Sequence, residues 1–107
     1  MVQTWKFGIS NPNNDTLYVQ VVISGSDGSG VSDFTVSSAV LVVAPTNSVN
    51  PPLNNQQLSY AFPATDKGDT FTFTATIFWG TSPTNMSDTS TNTIGGVPNS
   101  GSFTVVG

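Results

Sequence analysis

Residues 69–79 read D-T-F-T-F-T-A-T-I-F-W. Phe71, Phe73, Ala75, Ile77 and Trp79 fill the odd positions, and Thr70, Thr72, Thr74 and Thr76 fill even ones. A period of two puts one set on each face of a pleated strand, whereas a helix would scatter the same aromatics around its circumference. The β-branched and aromatic content favours the pleated surface as well. The segment is therefore expected to be a long central strand with one buried face.

On its N-terminal side Leu58, Tyr60 and Phe62 alternate in the same way, and P-A-T-D-K-G-D (63–69) supplies a turn. On its C-terminal side G-T-S-P-T-N-M-S-D (80–88) reads as a loop with its tip at 83–85. A polar edge strand at 89–94 and a closing strand at 102–106 are expected beyond it. Near the start, Trp5, Phe7 and Ile9 alternate with Thr4, Lys6 and Gly8, giving a strand over 2–9. S-N-P-N-N-D (10–15) ends that strand, and Leu17, Val19, Val21 and Ile23 form the next inward row, with Tyr18 and Gln20 on the opposite face. These first two runs are expected to pair as a hairpin.

G-S-D-G-S-G-V-S (25–32) has the composition of a loop. Phe34 and Val36 share one parity, but the apolar run 39–44 shows no alternation, which predicts a bulge or a change of sheet at Ser37 and Ser38. The Pro- and Asn-rich residues 45–55 read as a connection between sheets or as an edge. No repeat is present, and no segment carries the spacing a helix needs.

About seven short strands separated by turn clusters point to an all-β fold, a single antiparallel β-sandwich domain over 1–107. Residues 58–94, with K-G-D before a long Phe/Thr strand and S-D-T-S-T-N-T after a loop, resemble the last three strands of an immunoglobulin-like or fibronectin-type-III-like domain. That resemblance implies an Ig-like sandwich in which this region forms the final hairpin. The chain departs from the immunoglobulin pattern in having no cysteine pair and an additional strand around Phe103, so a jelly roll stays open as the alternative.

Composition excludes several functions. Six Asp and two Lys are the only charged side chains, giving a net charge of −4, and there is no Arg, Glu, His or Cys. Two cations cannot neutralise a run of phosphates, so nucleic acid is not an expected partner. No apolar run is long enough for a membrane span. The opening M-V-Q-T-W-K lacks a basic region followed by an apolar one, so no signal peptide is expected; the chain either avoids that route or is a mature fragment carrying an added Met. Without His or Glu, a serine or threonine hydroxyl has no ordinary base partner, and no enzymatic activity is expected. Zinc, copper and iron sites draw on His or Cys, so no cofactor is expected; calcium needs only oxygen and stays possible at the 27–33 loop or the Asp66/Asp69 pair. Both places also have the Asp and Gly content of plain turns.

The 14 Ser, 15 Thr and 10 Asn form a surface that is hydrated without being ionised. The Thr70, Thr72, Thr74 and Thr76 rank resembles one row of an ice-binding surface, but such surfaces carry several adjacent ranks. Two N-x-S/T motifs begin at Asn14 and Asn85 and fall in expected loops. Tyr18, Val22 and Phe78 fall on the outward faces of their strands and Asn85 on a loop tip, which makes these four the candidate interaction residues. The expected function is that of a non-catalytic structural or adhesion module in an exposed assembly. It would be a virion or tail component, a surface filament or a surface-layer subunit, placed on an extracellular surface or a virion. Partners are expected to be further copies or another structural protein, with pairing through the terminal strands. The alternative is a small carbohydrate-binding module or lectin, in which Tyr18 and Phe78 stack on sugar rings and loop asparagines hold the hydroxyls.

Overall fold

A computed structural model of the chain describes residues 1–28, 34–86, 88–89, 94–95 and 100–106. These form two antiparallel sheets that enclose one core, a sandwich-like all-β architecture. The strands are β1 (Val2–Ile9), β2 (Leu17–Ser26), β3 (Phe34–Ser37), β4 (Leu41–Val43), β5 (Leu53–Ala61), β6 (Thr70–Gly80), β7 (Asp88–Thr89), β8 (Ile94–Gly95) and β9 (Ser100–Thr104). The smaller sheet has the order β5-β1-β8. In the larger one β2 and β6 lie side by side at the centre, with β3 and β4 along the far side of β2 and β7 and β9 along the far side of β6.

Among the described residues nine strands therefore fill seven lanes. The excess over the expected seven arises because each edge of the larger sheet is built from two short strands. On one edge the break is the bulge at the serines. Val22 faces Ser37 and Val19 faces Leu41, so three steps on β2 are matched by four on its partner. Ser38 fills the gap: its amide donates to the Val21 carbonyl at 2.8 Å, and its Oγ accepts from the Val21 amide at 2.9 Å. The chain bulges there and does not change sheet.

Two expectations about pairing are corrected. β1 and β2 do not form a hairpin, since β1 pairs with β5 in the smaller sheet and β2 with β6 in the larger. The 10–16 connection crosses between the layers, held by Asn11, which is only 2% exposed. Asn11 Nδ2 donates to the carbonyls of Asp15 (2.8 Å) and Val43 (2.9 Å), and its Oδ1 accepts from the Asn13 amide (2.9 Å). Nor is 89–94 one strand: Asp88–Thr89 pairs with β6, whereas Ile94–Gly95 pairs with β1 in the opposite sheet.

The core follows the parity read from β6. Phe71, Phe73, Ala75 and Ile77 are buried, and Trp79 packs against the same cluster. Across the gap Trp5, Phe7, Ile9 and Leu58 come from the smaller sheet. Rings dominate one end, where Trp5 stacks on Phe34 at 5.7 Å, Phe71 stacks on Phe103 at 5.9 Å, and Phe62 lies against Phe34, Tyr60, Phe71 and Phe103. Each offset or edge-to-face pair adds about 1 kcal/mol to simple burial, which makes this end the more cohesive half of the interior.

Candidate interaction surface

Side chains directly opposite each other in an antiparallel pair share a face, so the register of the larger sheet defines its outer surface. On β6 that surface carries Thr70, Thr72, Thr74, Thr76, Phe78 and Gly80. On β2 it carries Tyr18, Gln20, Val22, Ser24 and Ser26, paired in turn with Gly80, Phe78, Thr76, Thr74 and Thr72. β3 adds Thr35 and Ser37, β4 adds Val42 opposite Tyr18, and β9 adds Ser102 and Thr104.

Three of the four candidate residues thus share this sheet face. Tyr18 and Phe78 are diagonal neighbours across β2 and β6, with Val22 two residues along from Gln20; all three are half-buried. Asn85 reaches the same place by a different route. In the 81–86 connection the Asn85 amide donates to the Ser82 carbonyl at 3.1 Å, closing a turn with Pro83 and Thr84 at its tip. The Asn85 carbonyl lies over Gly80, so close that a Cβ at Gly80 would collide with it. The loop therefore folds onto the Tyr18 end of the face because residue 80 has no side chain.

Val42 was hidden from sequence reading. It is 59% exposed and lies opposite Tyr18, but within the unbroken apolar run 39–44 its outward parity cannot be seen. Only the bulge at Ser38 sets which members of that run point out. Tyr18, Val22, Val42 and Phe78 together form the apolar end of the face, and hydroxyls form the other end.

The hydroxyl end has more than one rank. Thr72 is flanked by Ser26 and Ser102, and Thr74 by Ser24, with Thr35 beyond. Some of these groups satisfy each other: Thr70 and Thr104 share a hydrogen bond at 2.9 Å between their Oγ1 atoms. Among the described side chains no charged residue lies on this face.

No family model, curated protein or solved structure matches the chain.

Among the described residues no group of three or more His, Cys, Asp or Glu is placed to hold a metal ion. The Asp66/Asp69 pair sits in the turn into β6, where the Asp69 amide donates to the Asp66 carbonyl at 2.9 Å and Gly68 has φ +91°. The Asp33 end of the 27–33 loop lies outside the described residues, as do Ser87 of the second N-x-S/T motif and residues 90–93 of the expected edge strand. Among the described residues no helix is long and apolar enough to cross a membrane, which says nothing about β-barrels.

Of the two terminal strands expected to offer open edges, β1 has β5 along one side, and β8 pairs with its other side only at Gly8 and Ile9, so no described strand pairs with that side over residues 2–7. β9 lies at an edge but is five residues long. The long edge is β5, nine residues without Pro, Lys or any charged side chain.

Proposed function

We propose that this chain is a non-catalytic structural or adhesion module of an exposed assembly, such as a virion or tail component, a surface filament or a surface layer, acting through protein–protein contacts. One observation carries the reading: Tyr18, Val22, Val42 and Phe78 gather at one end of an uncharged sheet face. An apolar cluster rimmed by hydroxyls has the make-up of a contact surface, dry at its centre and polar at its edge. The immunoglobulin-like form of the sandwich belongs to the same proposal, and the antiparallel pairing of β6 with β7 across the 81–86 turn supports it. Light scattering after size exclusion, over a concentration series, tests the reading. The expected result is mass growing with concentration, with Phe78→Lys weakening association while the melting curve stays in place. A wild-type protein that is strictly monomeric at high concentration and binds no partner refutes it.

One observation favours a second reading as a carbohydrate-binding module. Tyr18 and Phe78 set two rings diagonally across β2 and β6 on one face, with Gln20 directly opposite Phe78 and its Nε2 donating to the Ser38 carbonyl at 3.0 Å. Binding on a glycan array that is lost in Tyr18→Ala and Phe78→Ala would select this reading over the first.

A further inference from the structure

We infer that the free edge of β5 is a strand-addition site whose occupant is β5 of a second copy, related by a twofold axis through Ser59. This goes beyond the face contact proposed above and uses a different surface.

Phe62 and Met1 exchange both of their bonds, with the Phe62 amide donating to the Met1 carbonyl at 2.8 Å and the Met1 amine to the Phe62 carbonyl at 3.4 Å. In an antiparallel ladder, hydrogen-bonded pairs alternate with non-bonded ones. With Gln3 opposite Tyr60, Trp5 opposite Leu58 and Phe7 opposite Gln56, the even residues of β5 bond to β1. Gln57, Ser59 and Ala61 therefore turn their N–H and C=O groups away from β1, and all three residues are exposed. No strand among the described residues pairs with that side.

Such an edge is a template for another strand unless something blunts it. Both edges of the larger sheet are blunted, each being split between two short strands. On β5 the one interruption is a bulge at Asn55, whose φ is +62°, and the strand then runs unbroken from Gln56 to Ala61. The charged groups beside the strand are Lys6, one strand in and opposite Gln57, and the Met1 ammonium, bonded to the Phe62 carbonyl just past the end of β5.

The free groups match themselves. An antiparallel copy centred on Ser59 pairs Gln57 with Ala61, Ser59 with Ser59 and Ala61 with Gln57. Each of these pairs exchanges two bonds, so every free group between 57 and 61 is satisfied and the bulge stays outside the contact. The same register sets Leu58 opposite Tyr60 of the second copy on the inner face. Tyr60 is half-buried and leans on Phe34 and Phe62, so the added strand would carry the aromatic end of the core across the axis. No like charges meet anywhere in the pairing.

The chain has no cysteine, so Ser59→Cys introduces a single thiol. Bonded antiparallel partners lie about 5.5 Å apart at Cα, within the range a disulfide spans. Under mild oxidation Ser59→Cys is expected to become a covalent dimer far faster than Ser48→Cys, a control at an exposed position in the connection between β4 and β5. Ser59→Pro removes a backbone donor that serves no bond among the described residues, together with the exposed bond between the Ser59 and Thr4 hydroxyls at 2.9 Å. In a Phe78→Lys background it is expected to keep the circular dichroism of the fold while weakening dimerisation at least thirtyfold, roughly the loss of one hydrogen bond per copy. Amide exchange at Gln57, Ser59 and Ala61 should slow as wild-type concentration rises, and in Ser59→Pro, where residue 59 has no amide proton, exchange at Gln57 and Ala61 should not. The inference is overturned if those amides exchange at one rate at all concentrations, if Ser59→Cys crosslinks no faster than the control, or if, with the face contact removed by Phe78→Lys, the dimer survives the addition of Ser59→Pro. Because Phe78→Lys leaves this edge intact, loss of the face contact and loss of the edge contact are separable.

Discussion

Asn11→Ala is expected to be among the most damaging single substitutions outside the aromatic core. The side chain makes three hydrogen bonds of 2.8 to 2.9 Å, one of which, to the Val43 carbonyl, is fully buried. Removing Nδ2 leaves that carbonyl without its donor, at a cost of about 1–3 kcal/mol, and the two partly buried bonds contribute about 1 kcal/mol each. The sum, roughly 3–5 kcal/mol, is a large share of the roughly 5–15 kcal/mol that holds a small domain together. Urea titration should show a lower midpoint with an unchanged slope. Asn11→Asp separates hydrogen bonding from simple packing. It replaces a donor with an oxygen facing two carbonyl oxygens, and burial penalises the anion, so the new carboxyl would titrate above its unfolded value of about 3.9. A raised folded pKa means that protonation favours the folded state. The deficit of Asn11→Asp relative to wild type should be smallest below about pH 4 and should grow as pH rises through and beyond that value. A loss under about 1 kcal/mol in Asn11→Ala, or a deficit in Asn11→Asp that ignores pH, would refute the account of Asn11 as the tie between the crossing loop and β4.

Two further substitutions test local geometry. Asn55 holds φ +62° at the bulge of β5, so Asn55→Gly should be neutral or slightly stabilising and Asn55→Val should cost about 1–2 kcal/mol, read as a shift in melting temperature. Gly80→Ala should force the 81–86 loop off the sheet, costing about 1–3 kcal/mol and shifting the backbone resonances of Ser82 and Asn85; unshifted resonances would count against the close approach.

The parts of this fold visible in the sequence are those set by neighbouring residues. Alternation over 69–79 gave β6 its inner face because period-two patterning needs no knowledge of the partner strand. The bulge at Ser37 and Ser38 was visible as a break in that alternation. The partner of β1 was not, because a run such as S-N-P-N-N-D will either close a hairpin or let the chain cross to another layer. The crossing is settled by an Asn11 bond to Val43, 32 residues away. For the same reason the open edge of β5 was not foreseen. Strand order decides which backbone groups lack partners, and the terminal position of β1 says nothing about its position in a sheet. Tyr18, Val22 and Phe78 could be assigned to outward faces one strand at a time, but their meeting on one face required the β2–β6 register.

The two proposed contacts differ in what they can build. Edge pairing about a twofold axis through Ser59 closes on itself and, acting alone, stops at a dimer. The apolar cluster lies on the outer face of the other sheet, so a dimer joined by its β5 edges still presents two such clusters, one per copy. A second self-complementary contact there would link dimers without closing, and the product would be an open chain of copies. Few charges suit this purpose: with six Asp and two Lys in 107 residues, repulsion between stacked copies is small and changes little with salt. A variant that loses only the face contact should therefore stall as dimers, and one that loses only the edge should also stall as dimers, of a different pairing. Only the double variant, Ser59→Pro with Phe78→Lys, should be a monomer at every concentration.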